Sequence, residues 1–234
     1  MFRNFCYVCL IIMAMIIVNS IIGDLYFRSV YSFPQVTETT EFLPDATQRP
    51  IQNNLSHADF IEHQGERYTH ILRPVAEYSI SGYVVALNSN LWLRDVMRNH
   101  FDDMALLDIG LSWGELSKPE VLKKYGYTFH SKKTLGQARM LRIKCKYQNN
   151  LVYNVSHTHL IPANANVMGA LLKIKKHTVV KLEGYLVDKY SNDRRRILTY
   201  TSMSRTDTNP TSRGNGACEV LYVTSVQIGN DIYR

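Results

Sequence analysis

Tyr78–Leu87, YSISGYVVAL, alternates polar and apolar residues as far as Gly82-Tyr83 and then runs apolar. Val180–Lys189, VKLEGYLVDK, carries the same Gly-Tyr pair inside the same kind of run. Alternation with a period of two marks a strand buried on one face, and the apolar continuation marks one buried on both. A glycine inside a strand marks a bulge or a sharp bend, the device that coils a sheet toward closure. Two such strands, separated by segments with helical spacing, predict an α+β domain from Tyr68 to Arg234. Its centre is expected to be a small curved antiparallel sheet, in its closed form an OB-like barrel, with short helices and an N-terminal hydrophobic helix.

Toward the N-terminus the composition changes twice. Residues 25–67 contain Pro34, Pro44 and Pro50 with many Thr, Asn and Gln, and hold no sustained period. They read as an extended linker, either a tether or a segment that wraps the domain. Met1–Asp24, MFRNFCYVCLIIMAMIIVNSIIGD, places Arg3 before an apolar run over residues 5–23. That run is about 19 residues long, near the roughly 20 that span a bilayer, so it reads as a signal peptide or a transmembrane anchor. Arg3 in front and acidic residues behind set the N-terminus in the cytoplasm and the rest outside. The expected location is therefore the inner membrane with a periplasmic domain, or the periplasm after cleavage, with residues 5–23 as the membrane contact.

Within the domain, Trp92, Val96, His100, Met104 and Leu107 are spaced by about one helical turn and predict a helix. LLDIGLSWGEL, Leu106–Leu116, reads as a tight packed turn around Trp113-Gly114. Ser117-Lys-Pro-Glu120 has the form of a capping box for a helix through Val121, Leu122 and Tyr125 that Gly126 ends. Val152–Ala163 reads as a strand, and Asn164 or Asn166 as the cap of a helix through Val167, Leu171 and Ile174. Ile197–Met203 and Cys218–Val226 complete the sheet.

The formal net charge is +7, unevenly placed. Asp24–Asp108 holds 12 acidic and 6 basic residues, whereas Lys118–Lys146 holds 9 basic ones, so the surplus belongs to the C-terminal half. Met140–Lys146, MLRIKCK, alternates apolar with basic, and Tyr127, Phe129 and Tyr147 lie nearby. Basic residues among aromatics suit single-stranded nucleic acid. They also suit any exposed strand of a basic protein, which is the reading adopted, and nucleic acid is not the expected partner.

Chemistry-bearing residues gather in Thr201–Val223, TSMSRTDTNPTSRGNGACEVLYV. Ser204, Arg205, Asp207 and Thr208 are its candidate binding residues. His159, Asp207, Cys218 and Glu219 are the candidate catalytic ones, because a Cys nucleophile needs an imidazole within hydrogen-bond reach. The same stretch suits a structural junction, with Arg205 and Asp207 pairing across the loop and Gly214 and Gly216 supplying positive φ before the last strand. His157 and His159 stand two apart and so share a strand face. As metal ligands they lack a third donor nearby, and they read as structural histidines; no metal and no cofactor is expected. Cys6 and Cys9 read as small apolar residues of the N-terminal run, while Cys145 and Cys218 are the pair open to a disulfide on export. No G-x-S-x-G, H-E-x-x-H or P-loop is present.

LDIGLSWGELSKPEVL, SHTHLIPAN, VKLEGYLV and SMSRTDT with GNGACEVLYV together resemble a family of small bacterial envelope proteins of no established activity. The resemblance covers most of Tyr68–Val226, and Asn209–Arg213, NPTSR, departs from it by lengthening one loop. It implies an envelope location and no particular chemistry. The expected function is thus a non-enzymatic binding or assembly role with a protein partner in the envelope. The alternatives are a hydrolase or metal-dependent enzyme using His159, Asp207 and Cys218, and nucleic-acid binding through a basic OB-like face.

Overall fold

The structure is a computed structural model. It describes residues 7, 9–15, 17, 18, 21, 22, 25, 29, 31, 33–65, 68–89, 104, 105, 107–132, 140–144, 146, 151–199, 201, 203 and 218–234. In chain order its elements are β1 (Glu38–Thr39), β2 (Ile51–Asn54), β3 (Ile61–Gln64), β4 (Thr69–Ser89), β5 (Leu107–Ser112), α1 (Pro119–Tyr125), β6 (Thr128–Lys132) and β7 (Met140–Lys144). There follow β8 (Val155–Pro162), α2 (Ala165–Lys173), β9 (Val179–Tyr190), β10 (Ile197–Thr199), β11 (Cys218–Ile228) and β12 (Asp231–Tyr233).

The two Gly-Tyr stretches lie side by side: β4 and β9 pair antiparallel, with Tyr78 opposite Gly184 and Gly82 opposite Val180. From β4 the hydrogen-bonded ring runs through β5, β8, β11 and β9 and back to β4, which makes a closed five-stranded barrel. Four of its seams are antiparallel, but β8 and β11 run parallel, from Cys218 opposite His157 to Val223 opposite Pro162. The expectation of a wholly antiparallel sheet is corrected at that seam. A parallel seam needs a crossover connection, and α2 and β9 lie between β8 and β11 in sequence.

Closure is made at the two glycines. A Cβ on Gly184 would stand 1.9 Å from the Tyr222 carbonyl oxygen, and β11 shifts register between Val223 and Ser225 directly opposite. A Cβ on Gly82 would stand 2.8 Å from the Leu111 Cβ. Only glycine lets the strands approach this closely. Inside the barrel, Val84, Ile109, Leu111, Leu160, Leu182 and Leu221 form one core, joined by Val167, Met168 and Leu171 of α2. Each buried leucine contributes about 1.5–3 kcal/mol relative to exposure. Asn164 caps α2, its side-chain oxygen accepting from the Val167 N–H at 2.9 Å.

The segment read as linker wraps the barrel. β1 pairs with β12, β2 and β3 pair with β4, and Asn166 of α2 is held to the Gln35 backbone by two hydrogen bonds of 2.6 and 2.9 Å. Three local expectations change. Leu107–Ser112 is a fully buried strand and not part of a turn, and Leu107 accordingly leaves the predicted helix; the other residues of that helix, except Met104, lie outside the described ones. Ser117 donates to the Gly114 carbonyl at 2.7 Å, so the capping box is not formed and Lys118 is the N-cap of α1. Pro119 and Gly126, the latter at φ +62°, bound α1 as expected. Among the described residues no helix is long and apolar enough to cross a membrane.

Candidate functional site

On β8 alternate residues face opposite ways. Leu160 enters the barrel core, whereas Ile161 packs with Leu72, Met104, Val187 and Val220 on the other side of the wall. His157 and His159 share the Ile161 side. Strand register then decides their company: Asp108 of β5 lies opposite His159, and Cys218, the first residue of β11, lies opposite His157. Three neighbouring strands thus bring a carboxylate, two imidazoles and a thiol into one patch.

The contacts are short. His159 Nδ1 lies 2.6 Å from Asp108 Oδ1, and His157 Nδ1 lies 3.2 Å from Cys218 Sγ. The imidazole centroids are 4.7 Å apart. Asp108, His159 and His157 are 1%, 3% and 5% exposed, while Cys218 is half-buried, so the thiol is the member that solvent reaches. Burial is the largest single influence on His159 and disfavours its charged form, but the Asp108 charge and hydrogen bond, with Cys218 adding to them, outweigh it and push the imidazole up to about 10. The site is built to hold a proton on His159. With Nδ1 engaged by Asp108, the nitrogen left for Cys218 is Nε2.

The carboxylate beside His159 is one that the sequence reading does not name. Asp207, Ser204, Arg205 and Thr208 lie outside the described residues, as does the Arg205–Asp207 pairing. Asp108 serves His159. Glu219 follows Cys218 on a strand and so faces the opposite way, where Thr158 Oγ1 donates to its carboxylate at 3.4 Å and Ser156 meets Thr158 at 3.0 Å. It does not join the cluster. Cys218 is a free thiol, and Cys145, its expected partner, lies outside the described residues. The residues of the junction reading, Arg205, Asp207, Gly214 and Gly216, lie outside the described ones; Thr201, at the start of the stretch, donates its N–H to Asp188 at 2.9 Å and accepts from the Val220 N–H at 2.9 Å, which ties it to β9 and β11.

The third donor that the histidine pair lacked is Cys218. Ligand atoms of His157, His159 and Cys218 all lie within 4.8 Å of one another. Among the described residues the basic strand Met140–Lys144 pairs with β6, in a two-stranded sheet distinct from the barrel sheet. Comparison with protein-family descriptions, with characterised proteins and with solved structures finds no match.

Proposed function

We propose that this chain is an envelope protein with an OB-like barrel that carries out acyl transfer to water, with Cys218 as nucleophile, His159 as proton carrier and Asp108 as the carboxylate that orients it. The observation that carries the reading is the cluster of Asp108, His159 and Cys218 on three adjacent strands, with Asp108 on His159 Nδ1 at 2.6 Å and the histidine and cysteine donor atoms within 4.8 Å of one another, buried at the carboxylate end and open at the sulfur. A nucleophile, a base in reach of it and a third group fixing the base is the general pattern of thiol catalysis. The OB-like assignment is supported by the ring order, the single parallel seam and the helix between the third and fourth barrel strands.

In the reaction the proton between Cys218 and His159 rests on His159, and the sulfur attacks an ester, thioester or amide carbonyl carbon. The carbon–sulfur bond forms as the leaving group departs with the proton from His159. Water, losing a proton to His159, then attacks the thioester, releasing the acid and leaving that proton on His159 beside the freed sulfur. Full-length protein incubated with p-nitrophenyl acetate should gain a single acetyl group on Cys218 that is lost again with time, as read by intact-mass and peptide mass spectrometry. Lysine acetylation alone, equal in Cys218→Ser, would overturn the reading.

A partner-binding role in the envelope is favoured by a different observation. Phe33, Phe42 and Leu43 are 89%, 82% and 65% exposed on the segment joining the N-terminal run to the barrel. Apolar side chains this bare are what a partner covers. Crosslinking in membranes should capture one reproducible protein with the native chain and lose it in Phe42→Glu; no reproducible partner would end this second reading.

A further inference from the structure

The proton relay uses Cys218, His159 and Asp108 but leaves His157 without a task, although its buried ring is turned to the same sulfur. We infer that His157, His159 and Cys218 form a binding site for one zinc-class metal ion, whose occupancy caps the thiol.

The donor set is two imidazole nitrogens and one sulfur, which suits zinc and excludes calcium and magnesium, whose ligands are oxygens. In a tetrahedral site the usual metal–nitrogen and metal–sulfur lengths put donors about 3.3–3.6 Å apart. Here the His157–Cys218 pair already stands at 3.2 Å and no pair of donors exceeds 4.8 Å, so small side-chain rotations complete the fit. His159 would bind through Nε2, because Asp108 holds Nδ1 at 2.6 Å. A carboxylate behind a metal-binding imidazole fixes the ring and its tautomer, the outer-shell support that such sites use. The ligands sit on two hydrogen-bonded strands, in register, which removes most of the ordering cost. Three protein ligands leave a fourth position for water on the side where Cys218 is open.

The ion and an electrophile would compete for one sulfur. Bound metal therefore silences the nucleophile and its removal restores it, a consequence that rests on the thiol reading above; the metal site itself does not.

Metal-free, detergent-solubilised full-length chain is titrated with Co(II) as the spectroscopic stand-in for zinc. One equivalent should give a thiolate-to-cobalt charge-transfer band with visible tetrahedral d–d bands; Cys218→Ser should lose the former, and His157→Ala should weaken binding about 10-fold or more. Zn(II) should block iodoacetamide alkylation of Cys218 in the native chain, and chelator should restore it, a measurement that needs no variant. Absence of the charge-transfer band, or unaltered Co(II) affinity in a folded His157→Ala, overturns the site. If the band forms but metal-free Cys218 reacts no faster than an exposed thiol, the metal site stands and the nucleophile reading falls.

Discussion

A carboxylate with 1% exposure must be matched by donors or lose its charge, and Asp108 meets this demand with the His159 imidazole. Asp188 is a contrasting acid: burial, its largest influence, raises its carboxyl above the usual range, against the opposing Thr201 N–H and Arg73. A folded-state value above the unfolded one means that the stabilising contribution is present below the unfolded value, about 4, and is lost as pH rises through the folded one. Asp188→Asn keeps an oxygen for the Thr201 N–H and has no charge to bury. Its urea midpoint should equal or exceed that of the native chain near neutrality and lack the decline above about pH 4; a variant clearly weaker at neutral pH contradicts this. Gly184→Ala should cost about 3 kcal/mol, the upper end of overpacking, because the obstacle is a backbone carbonyl at 1.9 Å. A native-like midpoint in urea would show that the strands can separate. At this scale the sequence pointed to His159, Cys218 and both strand glycines. It did not point to Asp108, although one acid inside the apolar run LDIGLS is itself the sign of a buried carboxylate that needs a partner.

The elements were legible where a period of two or a cap marked them. Alternation marked β4, β8, β9 and β11, and the Asn164 cap marked α2. Asn164→Ala should cost about 1 kcal/mol, measured by thermal or urea unfolding, since it removes the acceptor of the Val167 N–H; an unchanged midpoint would mean that packing alone holds that end. β5 was missed although LDIGLS alternates apolar residues with Asp, Gly and Ser, because Trp113-Gly114 directly after it drew the whole stretch into a turn. Ser117 was misread for another reason: a Ser-x-x-Glu spacing permits a capping box, but the 3-10 turn Gly114–Ser117 takes the hydroxyl first. Glu219 was grouped with Cys218 by proximity in sequence, and the strand period separates them.

At the scale of the whole molecule, the site exists because the barrel closes. Cys218 and His157 are 61 residues apart and meet only at the parallel seam, a long-range register that no local pattern encodes. The curved sheet was therefore readable from its glycines while its closing seam, and with it the cluster, was not. The proposed envelope location has its own test. The full chain should sediment with membranes and a version lacking residues 1–24 should not; equal distribution of the two would contradict anchoring by that run. The central claim, that barrel closure makes Cys218 a nucleophile through His159 and Asp108, is tested most directly by the rate of iodoacetamide alkylation at Cys218 in metal-free full-length protein. The rate should exceed that of an exposed thiol near neutral pH and fall about 10-fold or more in His159→Ala and Asp108→Asn, the range typical of a lost proton carrier. A Cys218 that reacts like any exposed thiol, and equally in all three proteins, would contradict it.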